Sequence, residues 1–293
     1  MKSAGAAWCF VAPALVIIGL FFIVPVIAAL AMSLTDFDIY ALADRGNLRL
    51  VGLRNYVQLL QTPLFWKALG NTLYFVVVGV PLSIGVSFGT ALLLHSRVTR
   101  FQAAFRTALF APVVTTLVAV AVVWRYLFNP YYGWLNYTLG RLGIPGVDWL
   151  GDPRWAMPAI IVFAVWKNFG YNMIILLAGL QSIPEPLYEA ARIDGASAWR
   201  QFRHVTLPVL TPIVAMVSIL TIAGYFQLFA EPYVLTQGGP LQSTVSVLYL
   251  MYEEGFKWWN LGNASAVAFL LFLLMTAVTS GMLWFARRRG AEE

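Results

Sequence analysis

Two groups of residues combine types and spacings that could do chemistry. The first is Trp166-Lys-Asn-Phe-Gly-Tyr-Asn172, which sets Lys167 within a long apolar run. A cation at the centre of a lipid-embedded helix costs about 3 kcal/mol or more, so Lys167 should face a polar cavity or a partner. The second is the segment 189–208, Glu-Ala-Ala-Arg-Ile-Asp-Gly-Ala-Ser-Ala-Trp-Arg-Gln-Phe-Arg-His-Val-Thr-Leu-Pro, polar and helix-forming but interrupted at Gly195. It lies between two apolar runs and suits docking of a soluble partner. Catalytic patterns are missing from the sequence. There is no His-Glu-x-x-His, no pair of intramembrane carboxylates and no Ser/His dyad, and His95 and His204 fall at the edges of apolar runs. The phosphate loop Gly-x-x-x-x-Gly-Lys-Ser/Thr is also missing, so the chain does not supply an ATPase of that type. No cofactor or metal site is expected.

The elements that must position these groups are membrane helices. Of 293 residues, 60% are hydrophobic and 11% charged, against roughly 25% charged in a soluble domain. The mean hydropathy is +0.75. The charge of +6 is scattered among segments that flank apolar runs, which fits an anionic membrane surface rather than nucleic acid. The lone Cys9 excludes an intrachain disulfide. The first apolar run extends past Met32, too long for a cleaved signal peptide, and reads as a retained span. A helix needs about 20 apolar residues to cross the hydrocarbon. Six spans are expected, at 8–32, 71–94, 107–128, 156–180, 207–229 and 264–286, giving an all-α membrane protein. Pro25, Pro81, Pro112 and Pro212 fall in or near them, where neighbouring groups can satisfy the freed carbonyls.

Six spans put both termini on one side. Arg287-Arg288-Arg289, with Arg97, Arg100 and Arg106, assign that side to the cytoplasm. The segment 189–208 is then cytoplasmic. The opposite loops carry Asp36, Asp38, Asp44, Arg45, Arg49, Asp148, Asp152, Glu253 and Glu254, and aromatic residues such as Tyr131-Tyr132-Gly-Trp134 and Trp258-Trp259 that read as interfacial anchors. Short interfacial helices are expected at 53–60 and 63–69. The chain divides into a first span and outer loop (1–70), a five-helix core (71–286) with the loop 182–208, and a tail (287–293).

Within 182–208, Ser182 and Glu185 have capping-box spacing, with Ser182 as N-cap. Pro184 and Pro186 suit the first turn of a helix running to about Ile193. Gly195 ends that helix. A second, from about Ser197, carries the stripe Trp199, Phe202, Val205, and Leu207-Pro208 opens the next span. The elbow offers Tyr188, Ala191 and Ile193 to a partner, with Arg192, Arg200 and Arg203 around them. The plainer alternative is an amphipathic connector. A candidate solute path combines Thr115, Thr116, Trp166, Lys167, Asn168, Tyr171, Tyr225, Gln227 and Glu231. Lys167 and Tyr171 are one turn apart on one face. Plainer alternatives stay open: the threonines could bond their own helix carbonyls, Tyr225 could be interfacial, Asn168 and Asn172 could join helices, and Lys167 could form a structural ion pair.

Glu189, Ala190, Ala191, Asp194, Gly195 and Ala196, followed by Phe202 and Leu207-Pro208, resemble the "EAA" loop of importer-type ABC transporter permeases. Leu235-Thr-Gln-Gly-Gly-Pro240 with Ser243-Thr244 resembles the signature of sugar permeases of the maltose, lactose and glycerol-3-phosphate type. Asn55-Tyr56, Asn71-Thr72, Leu127-Phe128-Asn129 and Gly133-Trp134-Leu135-Asn136 resemble the same family, so the resemblance covers nearly the whole chain.

The resemblance implies a type I ABC importer permease fold in a bacterial or archaeal cytoplasmic membrane. The elbow would be a coupling helix seated in a cleft of a separate ATP-binding subunit dimer. Glu189 would be its ionic contact and Gly195 its bend, and Tyr188, Ala190 and Ala191 would pack in the cleft. The further partners implied are a second, homologous permease (a heterodimer), an extracytoplasmic solute-binding protein and a carbohydrate. The segment around Lys167 would line the solute site, and the lysine leaves an anionic solute such as a sugar phosphate as an alternative. A self-contained secondary transporter or channel would leave the elbow without a purpose.

Overall fold

The computed structural model describes residues 3–44, 48–96 and 101–290, with the side chains of 3–7, 42, 43 and 285–290 left out. Arg45, Arg97, Arg100 and the side chains of Arg287, Arg288 and Arg289 therefore lie outside the described residues. The described chain is helical, apart from isolated bridges such as Thr35 with Leu50. In order the helices are α1 (Ser3–Ile18), α2 (Val24–Ser33), α3 (Ile39–Ala43), α4 (Arg54–Gln61), α5 (Pro63–His95), α6 (Gln102–Val114), α7 (Leu117–Leu127), α8 (Trp134–Arg141), α9 (Pro153–Gln181), α10 (Glu185–Ile193), α11 (Ala198–Gln201), α12 (Leu207–Phe226), α13 (Ala230–Leu235), α14 (Val247–Tyr252) and α15 (Leu261–Gly290). π turns join α1 to α2 and α11 to α12 without ending the helix.

Among the described residues, five helices are long and apolar enough to cross a membrane: Trp8–Ser33, Pro63–His95, Pro153–Gln181, Ala198–Phe226 and Leu261–Trp284. The expected helix at 63–69 is the opening of α5 rather than a separate piece. Its 33 residues reach about 50 Å at 1.5 Å per residue, more than the hydrocarbon thickness. The third expected span is not continuous. Its two pieces, α6 and α7, are bent by 100°. The break has local causes. Pro112 gives no N–H, and the β-branched run Val113-Val-Thr-Thr116 disfavours helix. Thr115 and Thr116 are extended, at φ −74°, ψ 151° and φ −70°, ψ 132°. The Thr115 hydroxyl donates to Pro112 O at 2.6 Å, competing with the helix ladder.

The contacts define two compact units, residues 1–66 with 247–274, and residues 67–246 with 275–293. In the first, Asn55 closes the end of α2. Its amide donates to the carbonyls of Ser33 and Thr35 at 2.8 and 2.7 Å, and Tyr56 meets the Ser33 hydroxyl at 2.7 Å. Gly262 N–H reaches Phe37 O at 2.8 Å, and any Cβ on Gly262 would stand 2.3 Å from Thr35 O.

The second unit is built around α9. Its buried residues cover the whole helix circumference, as a helix needs when packed on several sides. Small residues let its neighbours close in. A Cβ on Gly170 would lie 2.6 Å from Leu109 O of α6, and one on Gly179 would lie 2.5 Å from Ile213 Cδ1 of α12. The Asn129 side chain accepts from the N–H groups of Tyr131 and Tyr132, and Asn136 binds Pro130 O, both backbone groups of Val147 and the Trp149 indole. The signature residues Asn55, Asn129 and Asn136 are thus turn-closing amides, and Tyr56 adds a hydroxyl contact.

Candidate functional site

The elbow forms as a helix, a left-handed turn and a second helix. At the end of α10, Gly195 has φ +72°. Gly195 N–H donates to Arg192 O at 3.1 Å and Ala196 N–H to Ala191 O at 2.9 Å, the Schellman pattern. The Gln201 side-chain amide donates a hydrogen bond to Ala196 O at 2.9 Å. The start differs from expectation. Ser182 caps the C-terminus of α9, its hydroxyl donating to Gly179 O at 2.8 Å, and Pro184 is the N-cap of α10 with no side-chain bond. No capping box forms, because α9 runs to Gln181 and its last turn takes the serine first.

Glu189, Ala190, Asp194 and Gly195 are exposed, and Ala191 and Ala196 are half-buried. Arg192 pairs with Glu185 at 2.9 Å; both are exposed, so the pair adds little stability. Tyr188 is directed inward. It packs against the interior cluster around Leu180 and Leu210, and its hydroxyl meets Thr206 Oγ1 at 2.8 Å. Phe202 also packs inward, on Phe88 of α5 (ring centroids 5.9 Å apart) and on Trp199 (5.4 Å). From Ala198 the helix continues without interruption through Leu207-Pro208 to Phe226. A π turn at Phe202–Thr206 absorbs the missing Pro208 N–H.

A cavity of about 330 Å³ lies at the far end of that helix, lined in part by Asn168, Tyr171, Tyr225, Gln227 and Glu231. Five of the nine expected path residues therefore share one wall system. Tyr225 is buried and stacks on Phe75 of α5. Tyr171 is half-exposed on α9, and Asn168 binds Ala164 O of its own helix at 2.9 Å. Glu231 projects from the first turn of α13.

The other four lie elsewhere. Trp166 packs against Trp124, with centroids 5.2 Å apart, in an aromatic group with Phe163. Thr115 and Thr116 mark the break in the third span and are not among the cavity-lining residues. Lys167 is 7% exposed, and its ammonium donates to Val113 O, next to the break, at 3.1 Å.

Sequence reasoning missed Phe75, Val113, Leu220, Thr221, Gly224 and Leu228, which complete the wall together with Asn172. Thr221 had a readable signal. It is a hydroxyl one turn before Tyr225, and it accepts a 2.9 Å bond from the Asn172 amide while donating to Val217 O at 2.7 Å. Asn172 thus joins helices. Phe75 and Leu220 carry no signal in uniformly apolar runs. The 236–246 loop is tied down by Asn71, whose amide donates to Gln242 O and Val245 O at 3.0 and 2.9 Å, and by the Thr236–Thr244 hydroxyl pair at 2.7 Å. Gln237, Gly238, Leu241 and Gln242 all have positive φ. Among the described residues no cluster of side chains could hold a metal.

A polar, bent helical pair thus stands at one end of a membrane-length helix and a cavity with polar lining residues at its other end. The profile of the family described as "Binding-protein-dependent transport system inner membrane component" matches residues 83–290, and the chain belongs to this family, the membrane permease subunits of ABC importers. The lactose transport system permease protein LacF of Rhizobium radiobacter is 37% identical over 286 residues, covering 96% of this chain and 93% of its own. The trehalose/maltose transport system permease protein MalF of Thermococcus litoralis is 34% identical over 291 residues, covering 98% and 96%. A chain from the crystal structure of a bacterial ABC transporter that imports the acidic polysaccharide alginate superposes with a TM-score of 0.81 at 22% identity, covering 98% of this chain and 96% of that one. The chain is a multi-pass membrane protein and a transport subunit, not an enzyme.

Proposed function

We propose that this permease translocates a neutral carbohydrate, delivered by an extracytoplasmic binding protein, through the cavity lined by Asn168, Tyr171, Tyr225, Gln227 and Glu231. The observation that carries the reading is the unbroken helix Ala198–Phe226. It starts in the elbow and ends in the cavity wall with Leu220, Thr221, Gly224 and Tyr225. A displacement of α10 and α11 therefore reaches the cavity through one stiff element. The relatives named for lactose and for trehalose/maltose transport support a carbohydrate. So does the chemistry of the wall, where aromatic rings face a sugar's C–H surface while amides and one carboxylate bind its hydroxyls. The lining carries a carboxyl side chain, Glu231, and no lysine or arginine, and the Lys167 ammonium is held by a backbone carbonyl. Both features disfavour a sugar phosphate.

The elbow is the proposed seat of a separate ATP-binding subunit. Glu189 is exposed and has no ion pair among the described residues, so its carboxylate is free for charge-assisted bonds from such a partner. Ala190, Ala191 and Ala196 allow close approach, and Leu207 and Pro208 carry the motion into α12. Tyr188, Asp194 and Phe202 shape the elbow. An ATPase dimer needs two elbows, which favours a second, homologous permease alongside this chain. The termini and the elbow are assigned to the cytoplasm.

The test is uptake into proteoliposomes holding the chain with its co-expressed ATP-binding subunit, second permease and binding protein. A panel of labelled neutral mono- and disaccharides, with glycerol 3-phosphate as the anionic control, serves as solute. The expected result is ATP-dependent accumulation of a neutral sugar that Glu189→Lys abolishes while the complex stays in the membrane. Uptake driven by an ion gradient without the ATP-binding subunit would overturn the reading.

A further inference from the structure

The break in the third expected span leaves the C-terminus of α6 within an apolar run of the sequence. The last carbonyls of α6 have no partner in their own helix, and an unsatisfied carbonyl in hydrocarbon is costly. Pro112 O accepts from the Thr115 N–H at 3.3 Å and from the Thr115 hydroxyl at 2.6 Å, and Val113 O accepts from Lys167 Nζ at 3.1 Å. The ammonium also meets the negative end of the α6 dipole. Gly170, one turn further along α9 on the same face, makes the contact reachable. With no Cβ there, the α6 backbone at Leu109 and Phe110 closes onto α9. Val113 in turn lines the cavity, whereas Lys167 is almost fully covered and is not among the lining residues.

We infer that Lys167 is a positioning residue: it pins the broken end of α6 to α9 through Val113 O and so fixes one wall of the cavity, and it does not bind the solute. This goes beyond the proposed function and relies on it only for the uptake arm of its test. A basic residue buried in a span is usually assigned to the solute's charge. Here the carbonyl at the break takes its hydrogen bond.

The test places a reporter at the break. Cys9 is the chain's one cysteine, so Cys9→Ala with Val113→Cys gives a single thiol beside the carbonyl in question. The complete complex is reconstituted, and the rate of alkylation by a water-soluble maleimide is measured with Lys167, Lys167→Met and Lys167→Arg. With Lys167→Met, labelling should quicken roughly tenfold, the scale of one lost hydrogen bond from a charged donor. Lys167→Arg, which keeps a cationic donor, should restore a near-parental rate.

In the parental Val113 background, uptake of the best sugar from the panel should lose maximal rate with Lys167→Met while its KM stays within about twofold, because uniform binding is untouched. Equal labelling in all three proteins would overturn the inference. So would a raised KM at unchanged maximal rate, which assigns the ammonium to the solute. If Lys167→Met does not accumulate in the membrane, Lys167→Arg decides: parental labelling supports the pin, and quickened labelling refutes it. The labelling arm needs no transported sugar, so its outcome is separable from failure of the carbohydrate reading.

Discussion

Tyr225 lies against Phe75 with ring centroids 4.9 Å apart and planes 27° from parallel, directly over Gly79. A Cβ on Gly79 would stand 2.7 Å from Tyr225 Cε1, closer than real atoms approach. The bare backbone of α5 is what admits the ring, and the ring forms part of the cavity wall. Gly79→Val should therefore push Tyr225 off Phe75. Overpacking of this kind costs about 1–3 kcal/mol, and each kcal/mol lowers a melting temperature by roughly 2–4 °C in a chain of this size class. Melting in detergent should fall by several degrees, with weakened uptake. An unchanged melting temperature would mean that the α5–α12 contact is loose.

The face and the hydroxyl of Tyr225 should prove separable. The hydroxyl is buried without a hydrogen bond of good geometry, and the Ser83 hydroxyl beside it shares that condition. Tyr225→Phe removes a group that gains little from folding, so stability should change by less than about 1 kcal/mol and the KM for sugar should hold. Tyr225→Ala removes the stacking face and should raise KM about tenfold, which corresponds to about 1.4 kcal/mol. If Tyr225→Phe raises KM as much as Tyr225→Ala, the hydroxyl touches the sugar.

These features differ in how far the sequence disclosed them. Spans and elbow were legible because each is dictated locally, the first by long apolar runs and the second by a glycine where only a left-handed residue closes the helix. The break was not. Pro112 and a β-branched run are tolerated in many membrane helices, and what stabilises the broken form is Lys167, more than fifty positions away in sequence. Much of the polar half of the cavity was legible because amides, tyrosines and a carboxylate are rare in apolar runs, though Thr221 and Asn172 were not read as lining. Its apolar half (Phe75, Leu220, Leu228) could not be distinguished from lipid-facing neighbours. Ser182 was assigned to the wrong helix because the spacing to Glu185 says nothing about where the preceding helix stops.

The bond from the Asn172 amide to Thr221 Oγ1, at 2.9 Å and buried between α9 and α12, bears on whether α12 moves as one piece with the helix behind it. Interhelical bonds of this kind contribute about 0.6 kcal/mol on average within membranes. A double-mutant cycle with Asn172→Leu and Thr221→Val should return a coupling of that order in thermal stability. The same cycle in uptake should show a larger coupling if the bond forms in only one transport state. A cycle that closes to zero in both measurements would leave α12 free to slide along α9.

Gly195 offers the sharpest test of the elbow, because nothing lies within 4 Å of where its Cβ would be. A substitution there meets no steric obstacle from neighbours, so its whole effect is conformational. A φ of +72° costs a non-glycine residue about 1–2 kcal/mol, and a β-branched residue more. The least costly relief is to unwind the last turn of α10, which breaks the bonds from Gly195 and Ala196 to Arg192 and Ala191 and displaces the exposed face that carries Glu189. Gly195→Val should then insert in the membrane at normal abundance, retain less of the ATP-binding subunit through purification, and lose sugar-stimulated ATP hydrolysis. Gly195→Asn, which tolerates the left-handed region, should keep most of both. Equal stimulation in the two variants would show that the partner reads the residues of the elbow rather than its bend.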